Sequence, residues 1–299
     1  MCNHLGIVGR KTLSESHMRD DLEHELTKRF RKTIWSPFLS AVKNYGMAMP
    51  GDRIAVCLSG GKDSLLMAKC MQTLKKYSKV PFELVYLCMD PGYDPHSLDI
   101  MKIAASRLGI QPDMFKTDIY QVVEGMVGSP CHVCAAMRRG YLYKEAQKRG
   151  CNKIALGHHR DDAAETILLS VLYGGQFKAM LPRLKSENYK NMELIRPLYL
   201  VREKAVRAWL ASAGITTITC ACRVTRSADG GKRLRVKRLI HDLEAEQPNV
   251  VDNIIASSEQ VNLATLLSYK LNQNSPVTSF MQSFATSGTS DVMNVDKLF

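Results

Sequence analysis

One short segment of the sequence combines glycine, serine, lysine and aspartate in an order that suits phosphate binding. Its residues are Ser59, Gly60, Gly61, Lys62, Asp63 and Ser64. Glycine permits a tight turn and a close approach of the backbone to a ligand, and backbone amides at the start of a helix face an anion. We therefore expect the serines and Lys62 to bind phosphate, and Asp63 to hold Mg²⁺ or to fix the loop. The spacing differs from that of a Walker A motif, which needs Gly-x-x-x-x-Gly-Lys-Ser/Thr.

A second polar segment, Gly157 to Asp162, follows another apolar run and could complete the same site. We expect Gly157, His158 and Asp162 to contact the nucleotide. The paired carboxylates of this segment could in addition hold Mg²⁺. Asp161 is assigned a catalytic role, although an aspartate here could instead cap the following helix. The two adjacent histidines could contact the nucleotide or only stabilise the turn.

Arg138 is a further catalytic candidate, four residues after the second cysteine of a close pair. A cation there could stabilise the negative charge that develops on a phosphate in the transition state. The alternatives are contact with an RNA phosphate or exposure on a solvated helix face.

Four of the nine cysteines form two close pairs in surroundings that predict loops. They are Cys131, Cys134, Cys220 and Cys222. Thiolates three residues apart can bind one metal ion or one corner of an iron–sulfur cluster. Zinc stays open as the alternative, because the four thiolates together would complete its tetrahedral set. The odd number of cysteines argues against a framework of disulfides.

Alternating apolar runs and helical patterns predict an α/β fold, with a parallel twisted sheet covered by helices on both faces. Ligands of such sheets bind beyond the carboxyl ends of the strands, where both glycine-containing segments begin. The patterns also predict helices over 14–45 and 135–149 and a strand within 112–119. Composition divides the chain into an N-terminal basic helical extension at 1–50, a catalytic domain at 51–222, a basic helical extension at 223–271 and a disordered tail at 272–299.

Composition and charge indicate where in the cell the protein is found and which class of partner it binds. The chain has no run of about 18 apolar residues that would predict a membrane span, and its first residues lack the pattern of a signal peptide. We therefore expect a cytoplasmic protein without a membrane partner. The formal charge of +12 favours nucleic acid as a partner, because Lys and Arg release counterions when they neutralise phosphates.

The segment 59–64 matches the SGGxDS signature of the PP-loop ATP pyrophosphatases, and further motifs follow in order. They are Cys131-His132-Val133-Cys134, Arg138-Arg139-Gly140, Gly157 to Asp162, Tyr173-Gly174-Gly175, Ile195-Arg196-Pro197-Leu198 and Arg202-Glu203-Lys204. The ordered set resembles the tRNA 2-thiocytidine synthetase family over roughly residues 28–222. The resemblance implies the PP-loop fold, which is like that of adenine nucleotide alpha hydrolases, and an enzyme that uses ATP, Mg²⁺ and a 4Fe–4S cluster. It implies adenylation of the C2 oxygen of an anticodon-loop cytidine in tRNA, and replacement of that oxygen by sulfur.

The resemblance also assigns the cluster ligands. Cys131 and Cys134 match two of the family's three cysteines, and Cys220 keeps the family's distance from the Arg202-Glu203-Lys204 motif. This chain departs from the family by a one-residue shortening between its last two cysteines, so Cys222 stays open as the third ligand. The implied partners are tRNA and a cysteine desulfurase or another sulfur donor, with a homodimer as a further expectation.

Two alternatives to cytidine thiolation stay open on the sequence alone. The same adenylation chemistry serves thiouridine and lysidine formation in tRNA, although lysidine formation does not need the cysteines. A chain with these motifs could also be a non-catalytic iron–sulfur sensor that binds nucleotide and RNA. Release of pyrophosphate that depends on RNA would distinguish an enzyme from such a sensor.

Overall fold

The protein is built around a six-stranded sheet, which a computed structural model shows together with its covering helices. The structure describes residues 15–124, 130–218, 231–271 and 274–282, with side chains except at 15–20, 123–124 and 130–132. The strands of the sheet are β1 (Arg53–Leu58), β2 (Glu83–Asp90), β3 (Asp113–Lys116), β4 (Lys153–Ala155), β5 (Arg183–Lys185) and β6 (Glu193–Ile195). The described helices are α1 (Glu15–Thr27), α2 (Ser36–Asn44), α3 (Lys62–Tyr77), α4 (Pro95–Arg107), α5 (Ile119–Glu124), α6 (Pro130–Lys148), α7 (Arg160–Gly174), α8 (Glu203–Ala213), α9 (Gly231–Glu246) and α10 (Val250–Glu259). No helix of the described segments has both the length and the apolar character that a bilayer crossing requires.

The sheet has the order β3-β2-β1-β4-β6-β5. Neighbouring strands are parallel from β3 to β6, and β5 runs antiparallel beside β6. The α/β fold predicted from the sequence is therefore confirmed, with one antiparallel strand added at the edge. Because a short turn and no helix joins β5 to β6, these two strands pair as a hairpin.

The chain reverses its direction of winding between β1 and β4. It adds β2 and β3 on one side of β1 and then crosses to place β4 on the other side. A crevice opens beyond the carboxyl ends of parallel strands at such a point, and ligands of α/β proteins bind there. Both glycine-containing segments lie at this position, because they follow β1 and β4 directly.

Alternate residues of β1 belong to two different parts of the hydrophobic core. Ile54, Val56 and Leu58 join the larger cluster, whereas Ala55 and Cys57 join the smaller one. The larger cluster contains residues of α1 to α4 and α8, and the smaller one contains residues of α6. Since successive side chains of a strand point to opposite faces, helices cover the sheet on both faces.

The helix predicted over 14–45 is divided into two helices by a π-helical turn at Arg31–Trp35. Pro37 lies in the first turn of α2, where a residue without an N–H group loses no hydrogen bond, so a new helix starts there. Leu26, Ile34 and Phe38 are fully buried in the same cluster as β1. The N-terminal helices are therefore part of the core of the sheet.

Helix α6 begins at Pro130, earlier than the helix predicted over 135–149. Proline suits the first turn of a helix for the reason that applies to α2. Cys131 and Cys134 consequently lie in the first two turns of the helix, which corrects the expectation that they occupy a loop. The two positions stay three residues apart along the helix backbone.

The chain separates into two compact units, Met1–Val251 and Asp252–Phe299. The first contains the six-stranded sheet. The second contains a 3-10 turn, Leu263–Thr265, and a hairpin of β7 (Ser268–Tyr269) and β8 (Thr278–Ser279). The four segments expected from the sequence are a different division of the chain, which stays a prediction. Strand β8 also falls inside the predicted disordered tail, whose residues 283–299 lie outside the described residues.

Candidate active site

The loop after β1 turns sharply at Gly60, whose φ of +72° lies in the left-handed region. A side chain here would be strained, and its Cβ would lie 2.5 Å from Cδ1 of Ile218. The Gly60 carbonyl accepts a hydrogen bond from the Ile218 N–H at 3.0 Å. Glycine is therefore required by the turn, and a larger residue would also displace the Ile218 side chain.

Ser64 holds this loop in shape and is buried. Its hydroxyl donates to the Gly61 carbonyl at 2.9 Å and accepts from the Ser59 N–H at 3.2 Å. Ser59 is exposed, and its own hydroxyl donates to that of Ser64 at 3.2 Å. No described side chain caps the start of α3. The N–H groups of its first turn therefore remain available to an anion in the crevice.

Lys62 and Asp63 open α3 and have different surroundings. The Lys62 ammonium lies 2.9 Å from Asp63 Oδ2 and 3.1 Å from Glu203 Oε1. Burial opposes the charged form, yet these two carboxylates raise the pKa of Lys62 above its ordinary value. Asp63 Oδ1 is buried and accepts no hydrogen bond from the described residues. Because an anionic oxygen without a partner is unfavourable in a buried position, Asp63 Oδ1 suits a cation or a donor on a ligand.

The loop after β4 approaches the phosphate loop so closely that only glycine fits at position 157. A Cβ on Gly157 would lie 2.9 to 3.0 Å from backbone atoms of Asp63 and Ser64. Backbone atoms cannot move aside as the end of a flexible side chain can. Gly157 thus brings the two loops together, in addition to the nucleotide contact predicted for it.

His159, the second of the two adjacent histidines, stabilises the turn before α7, which is one of the two alternatives that the sequence left open. It is buried, and its Nδ1 accepts a hydrogen bond from the Asp162 N–H at 3.3 Å in a reciprocal cap of α7. Its Nε2 must then carry the proton, and this atom lies 3.6 Å from Asp63 Oδ1. The ring therefore links the carboxylates that follow β1 and β4. A cap by Ser or Thr would have been recognisable from the sequence, whereas a histidine cap is not.

Asp161 and Asp162 bind different partners although they are adjacent. Asp161 Oδ1 accepts two hydrogen bonds from Arg202, at 3.0 and 3.1 Å, and Oδ2 accepts one from the Glu203 N–H at 2.6 Å. Asp161 does not line the cavity, and its contacts favour an anchoring role at the start of α8 over the catalytic role expected for it. Asp162 does line the cavity. Burial opposes its ionisation, but the neighbouring His159 lowers the pKa of Asp162 below its ordinary value.

His158 lines the cavity as a neutral ring. Burial, together with the positive charge of Arg196, lowers the pKa of His158 to about 4. Its Nδ1 is buried and forms no hydrogen bond with the described residues. Because a neutral imidazole both donates and accepts hydrogen bonds, His158 can bind a polar group of a nucleotide or a base.

Arg138 reaches the same cavity from α6. Its Nη2 donates to the Tyr120 hydroxyl at 3.1 Å, and its guanidinium lies over that ring, 5.7 Å from the centroid. Cys134, one turn earlier on α6, is half-buried and has a free thiol. The helix therefore carries a cation of the cavity and one predicted cluster ligand on successive turns.

Glu203, at the start of α8, joins the phosphate loop to α9. Its carboxylate lies 3.1 Å from the Lys62 ammonium and 2.5 Å from the Lys237 ammonium. Burial works against ionisation, but these cations lower the pKa of Glu203 to about 2. The sequence carries no signal for this contact, because the three residues come together only in the folded chain.

The cavity between the two loops has a volume of about 400 Å³ and brings together most of the predicted residues. Those that line it are Ser59, Gly61, Asp63, Ser64, Arg138, Gly157, His158 and Asp162. Gly60, Lys62 and Asp161 do not line it; they shape the loop or bind α8. Arg139 and apolar side chains, most of them from β1, β2 and α6, complete the wall. A wall that combines apolar surface with convergent polar groups is typical of a small-molecule site.

Cys134 is the only predicted cluster ligand whose side chain lies within the described residues. The side chain of Cys131 and the whole of residues 219–230, which include Cys220 and Cys222, fall outside them. Within the described part of the chain, no group of three or more His, Cys, Asp or Glu side chains is arranged to bind a metal ion. The choice of third ligand therefore stays a prediction.

The chain is similar to known proteins over most of its length. A family model described as a PP-loop domain matches residues 32–222. The tRNA-cytidine(32) 2-sulfurtransferase of Geobacter sulfurreducens is 36% identical over 236 residues, which are 78% of this chain and 91% of that protein. The protein of the same description from Pelobacter propionicus is 35% identical over 263 residues, 87% of this chain and 94% of the relative. Among solved structures, the U34-tRNA thiolase NcsA from Methanococcus maripaludis, with its 4Fe–4S cluster, shares the fold at a TM-score of 0.60. Its sequence is 20% identical, and the match covers 82% of this chain and 78% of that chain.

Proposed function

The chain belongs to the PP-loop family of tRNA 2-thiocytidine synthetases, and from this premise we propose that it thiolates a cytidine of tRNA at C2. It is an ATP-dependent enzyme of the tRNA sulfurtransferase type. The proposed reaction has two steps, adenylation of the C2 oxygen and its replacement by sulfur. We assign both steps to the cavity between the loops after β1 and β4.

One observation carries the proposal: an uncapped helix start and a buried carboxylate oxygen without a donor meet in one cavity. The N–H groups at the start of α3 suit the phosphates of ATP. Asp63 Oδ1 accepts no hydrogen bond from the described residues, and Asp162, whose pKa is lowered, lines the same cavity. Two carboxylates beside phosphates fit Mg²⁺, which would withdraw negative charge from the reacting phosphates when bound.

In the first step, the C2 oxygen of the cytidine attacks the α-phosphorus of ATP. The bond from this phosphorus to the oxygen that bridges the β-phosphate breaks, pyrophosphate leaves, and the base carries AMP on its C2 oxygen. Arg138, which lines the cavity, would stabilise the charge on the α-phosphate. His158 would hydrogen-bond the nucleotide or the base through its unpaired Nδ1.

In the second step, a sulfur nucleophile adds to C2, and AMP leaves with the former C2 oxygen. We assign Cys131, Cys134 and either Cys220 or Cys222 as ligands of a 4Fe–4S cluster, which would supply the sulfur at its fourth iron. The free, half-buried thiol of Cys134 suits such a ligand. The U34-tRNA thiolase that shares the fold carries a cluster of this type. Zinc bound by all four cysteines is the alternative.

The names of the relatives favour cytidine over the uridine and lysidine reactions, because the relatives from Geobacter and Pelobacter are both named for cytidine 32 of tRNA. We expect the reaction to take place in the cytoplasm, where tRNA is present. A cysteine desulfurase or another sulfur donor must renew the sulfur after each turnover.

Mass spectrometry of nucleosides tests the proposed product. tRNA from a strain that lacks this chain is compared with tRNA from the same strain carrying the wild-type chain or its Asp63→Asn variant. We expect 2-thiocytidine with the wild-type chain alone. Thiouridine or lysidine in its place would assign one of the alternatives, and identical nucleosides in all three samples would contradict an enzymatic function.

The metal is tested separately on protein purified without oxygen. We expect about four irons per chain and a broad absorbance of an iron–sulfur cluster. Cys220→Ser should lose the iron, whereas Cys222→Ser should keep most of it. The reverse pattern would move the third ligand to Cys222, and stoichiometric zinc without iron would exclude the cluster.

A further inference from the structure

One side of helix α9 is fixed to the first unit by apolar and charged contacts. Val236 and Ile240 are buried, one turn apart. Arg233 donates to Asp162 at 2.7 Å and to Glu165 at 2.8 Å. The lysine–glutamate contact described above for α9 lies on the same side, because residues three and four apart share one side of a helix. This inner side holds α9 against α7 and α8.

The remaining basic residues of α9 lie outside the inner side. Lys232, Arg235 and Arg238 recur at intervals of three and are exposed. None of them forms an ion pair with another described residue, in contrast to Arg233 and Lys237. Like charges at this spacing repel one another, so the contacts among these three residues do not stabilise the helix. The basic run therefore divides into two residues that fix the helix and three that face solvent.

The end of α7 adds an aromatic ring to the exposed basic residues. Residues 171–178 are exposed without interruption. Tyr173 is 42% exposed, and Lys232 Nζ lies 5.1 Å from the centroid of its ring. A cation over an aromatic ring is attracted by its π electrons, and an exposed ring can stack on a base of a single strand.

We infer that Lys232, Arg235, Arg238 and Tyr173 form a surface, the α9 outer face, that binds the RNA strand carrying the target nucleotide. The inference rests on the proposed function and deepens it by naming where the tRNA binds. The unpaired cations fit phosphates, since each neutralised phosphate releases counterions. An acidic protein would also fit the cations, but its carboxylates would not stack on the Tyr173 ring as a nucleic-acid base does.

The α9 outer face lies next to the cavity. Arg233, on the inner side of the same helix, binds Asp162, which lines the cavity. A helix with its side chains is only about 10 Å across. An RNA strand on the α9 outer face can therefore extend a nucleotide into the cavity without leaving the first unit.

The test combines Lys232→Gln, Arg235→Gln and Arg238→Gln in the full-length chain and measures the binding of unmodified tRNA at several salt concentrations. We expect the affinity for tRNA to fall about 10- to 100-fold, and the slope of log affinity against log salt to decrease by about 2. Binding of ATP should not change. In thiolation assays, KM for tRNA should rise while kcat stays within about twofold.

A matched control removes the same charge at the amino ends of the strands, away from the cavity. Its substitutions are Lys43→Gln, Lys79→Gln and Lys190→Gln. These three lysines are exposed, form no described ion pair, and precede β1, β2 and β6. Tyr173→Ala should weaken tRNA binding about tenfold, whereas Tyr173→Phe should retain it, because stacking needs only the ring.

Equal losses in the control and the α9 variant, or tRNA binding by the α9 variant at the wild-type affinity, would overturn the inference and leave the proposed function intact. Normal tRNA binding with lost sulfur transfer from a protein donor would overturn it in favour of that donor. A wild-type chain that neither binds nor thiolates tRNA would refute the proposed function itself.

Discussion

The loops after β1 and β4 occupy equivalent positions but are stabilised in different ways. Each joins the carboxyl end of a central parallel strand to the start of a helix, and each brings one aspartate to the cavity. The turn of the first loop is formed by its own atoms, since Gly60 makes it and Ser64 closes it, and Ile218 and Glu203 contact it from later in the chain. The second loop is capped locally by His159, but both of its carboxylates bind arginines from a later part of the chain, Asp161 through Arg202 and Asp162 through Arg233.

This difference separates two functions of the cavity. A loop closed by its own backbone and a hydroxyl leaves its amides available to an anion. A loop whose carboxylates bind arginines ties the cavity to α8 and α9, which come much later in the chain. Changes in the first loop should therefore affect chemistry, whereas changes in the second should also affect the free energy of unfolding.

The largest effect is expected at the first loop, from Asp63→Asn. This change keeps the shape of the side chain but removes the negative charge that we assign to Mg²⁺. Pyrophosphate release should fall about 10²- to 10³-fold, which is the size of effect seen when one electrostatic contact to a transition state is lost. The melting temperature should stay close to that of the wild type. Turnover at the wild-type rate would exclude Asp63 from the site.

The second loop is tested by comparing Asp161→Asn with Asp162→Asn. Asp161→Asn removes a partly buried ion pair with Arg202, so the free energy of unfolding should fall by about 2 kcal/mol, between the values for exposed and buried pairs. Urea denaturation measures this loss. Below the unfolding transition, Asp161→Asn should release pyrophosphate nearly as the wild type does, whereas Asp162→Asn should not. Equal loss of activity in both would restore the catalytic role of Asp161.

The contact between the loops is tested by Gly157→Ala. The new Cβ would meet backbone of the phosphate loop at 2.9 to 3.0 Å, and such overpacking should lower the free energy of unfolding by about 1 to 2 kcal/mol. ATP affinity should fall as well, because the phosphate loop must shift. Gly174→Ala is the control, since the nearest atom to its added Cβ lies 4.0 Å away. Its stability should be unchanged or slightly higher.

The smallest effect concerns the neutral ring of His158. Its pKa of about 4 lies below the ordinary value of 6.5, so the unfolded chain takes up a proton first as the pH falls. Stability is therefore unaffected above about pH 6.5 and declines as the pH approaches 4. We expect a loss on the order of 1 kcal/mol between pH 7 and 5.5 that His158→Gln lacks. The same decline in both proteins would contradict the buried, neutral state.

The sequence predicted the first loop better than the second for a physical reason. Glycines and serines of the phosphate loop act through local turns and hydroxyl contacts, which depend on residue types at fixed spacing. The function of Asp161 depends instead on Arg202, which lies 41 positions later. Neighbouring carboxylates look alike in a sequence, and their partners become visible only in the folded chain.

The same reason explains the other differences from expectation. Helices α2 and α6 each begin with a proline in the first turn. Helical periodicity in the sequence does not show that a new helix begins at such a proline. The antiparallel edge strand β5 depends on a turn and has only three residues. Glu203 lies in a recognisable motif, but its contact with the phosphate loop requires three distant segments. Long strands, the glycine-rich turn and the order of motifs were accessible from the sequence because each is local.

Pyrophosphate release from ATP, measured with and without tRNA, tests most directly whether this cavity adenylates RNA. Wild-type protein purified without oxygen and supplied with a sulfur donor should release pyrophosphate only when tRNA is present, with AMP and 2-thiocytidine in equal amounts. Asp63→Asn should release little under either condition. Pyrophosphate release that does not depend on tRNA, or thiolation without any pyrophosphate, would contradict adenylation of the base.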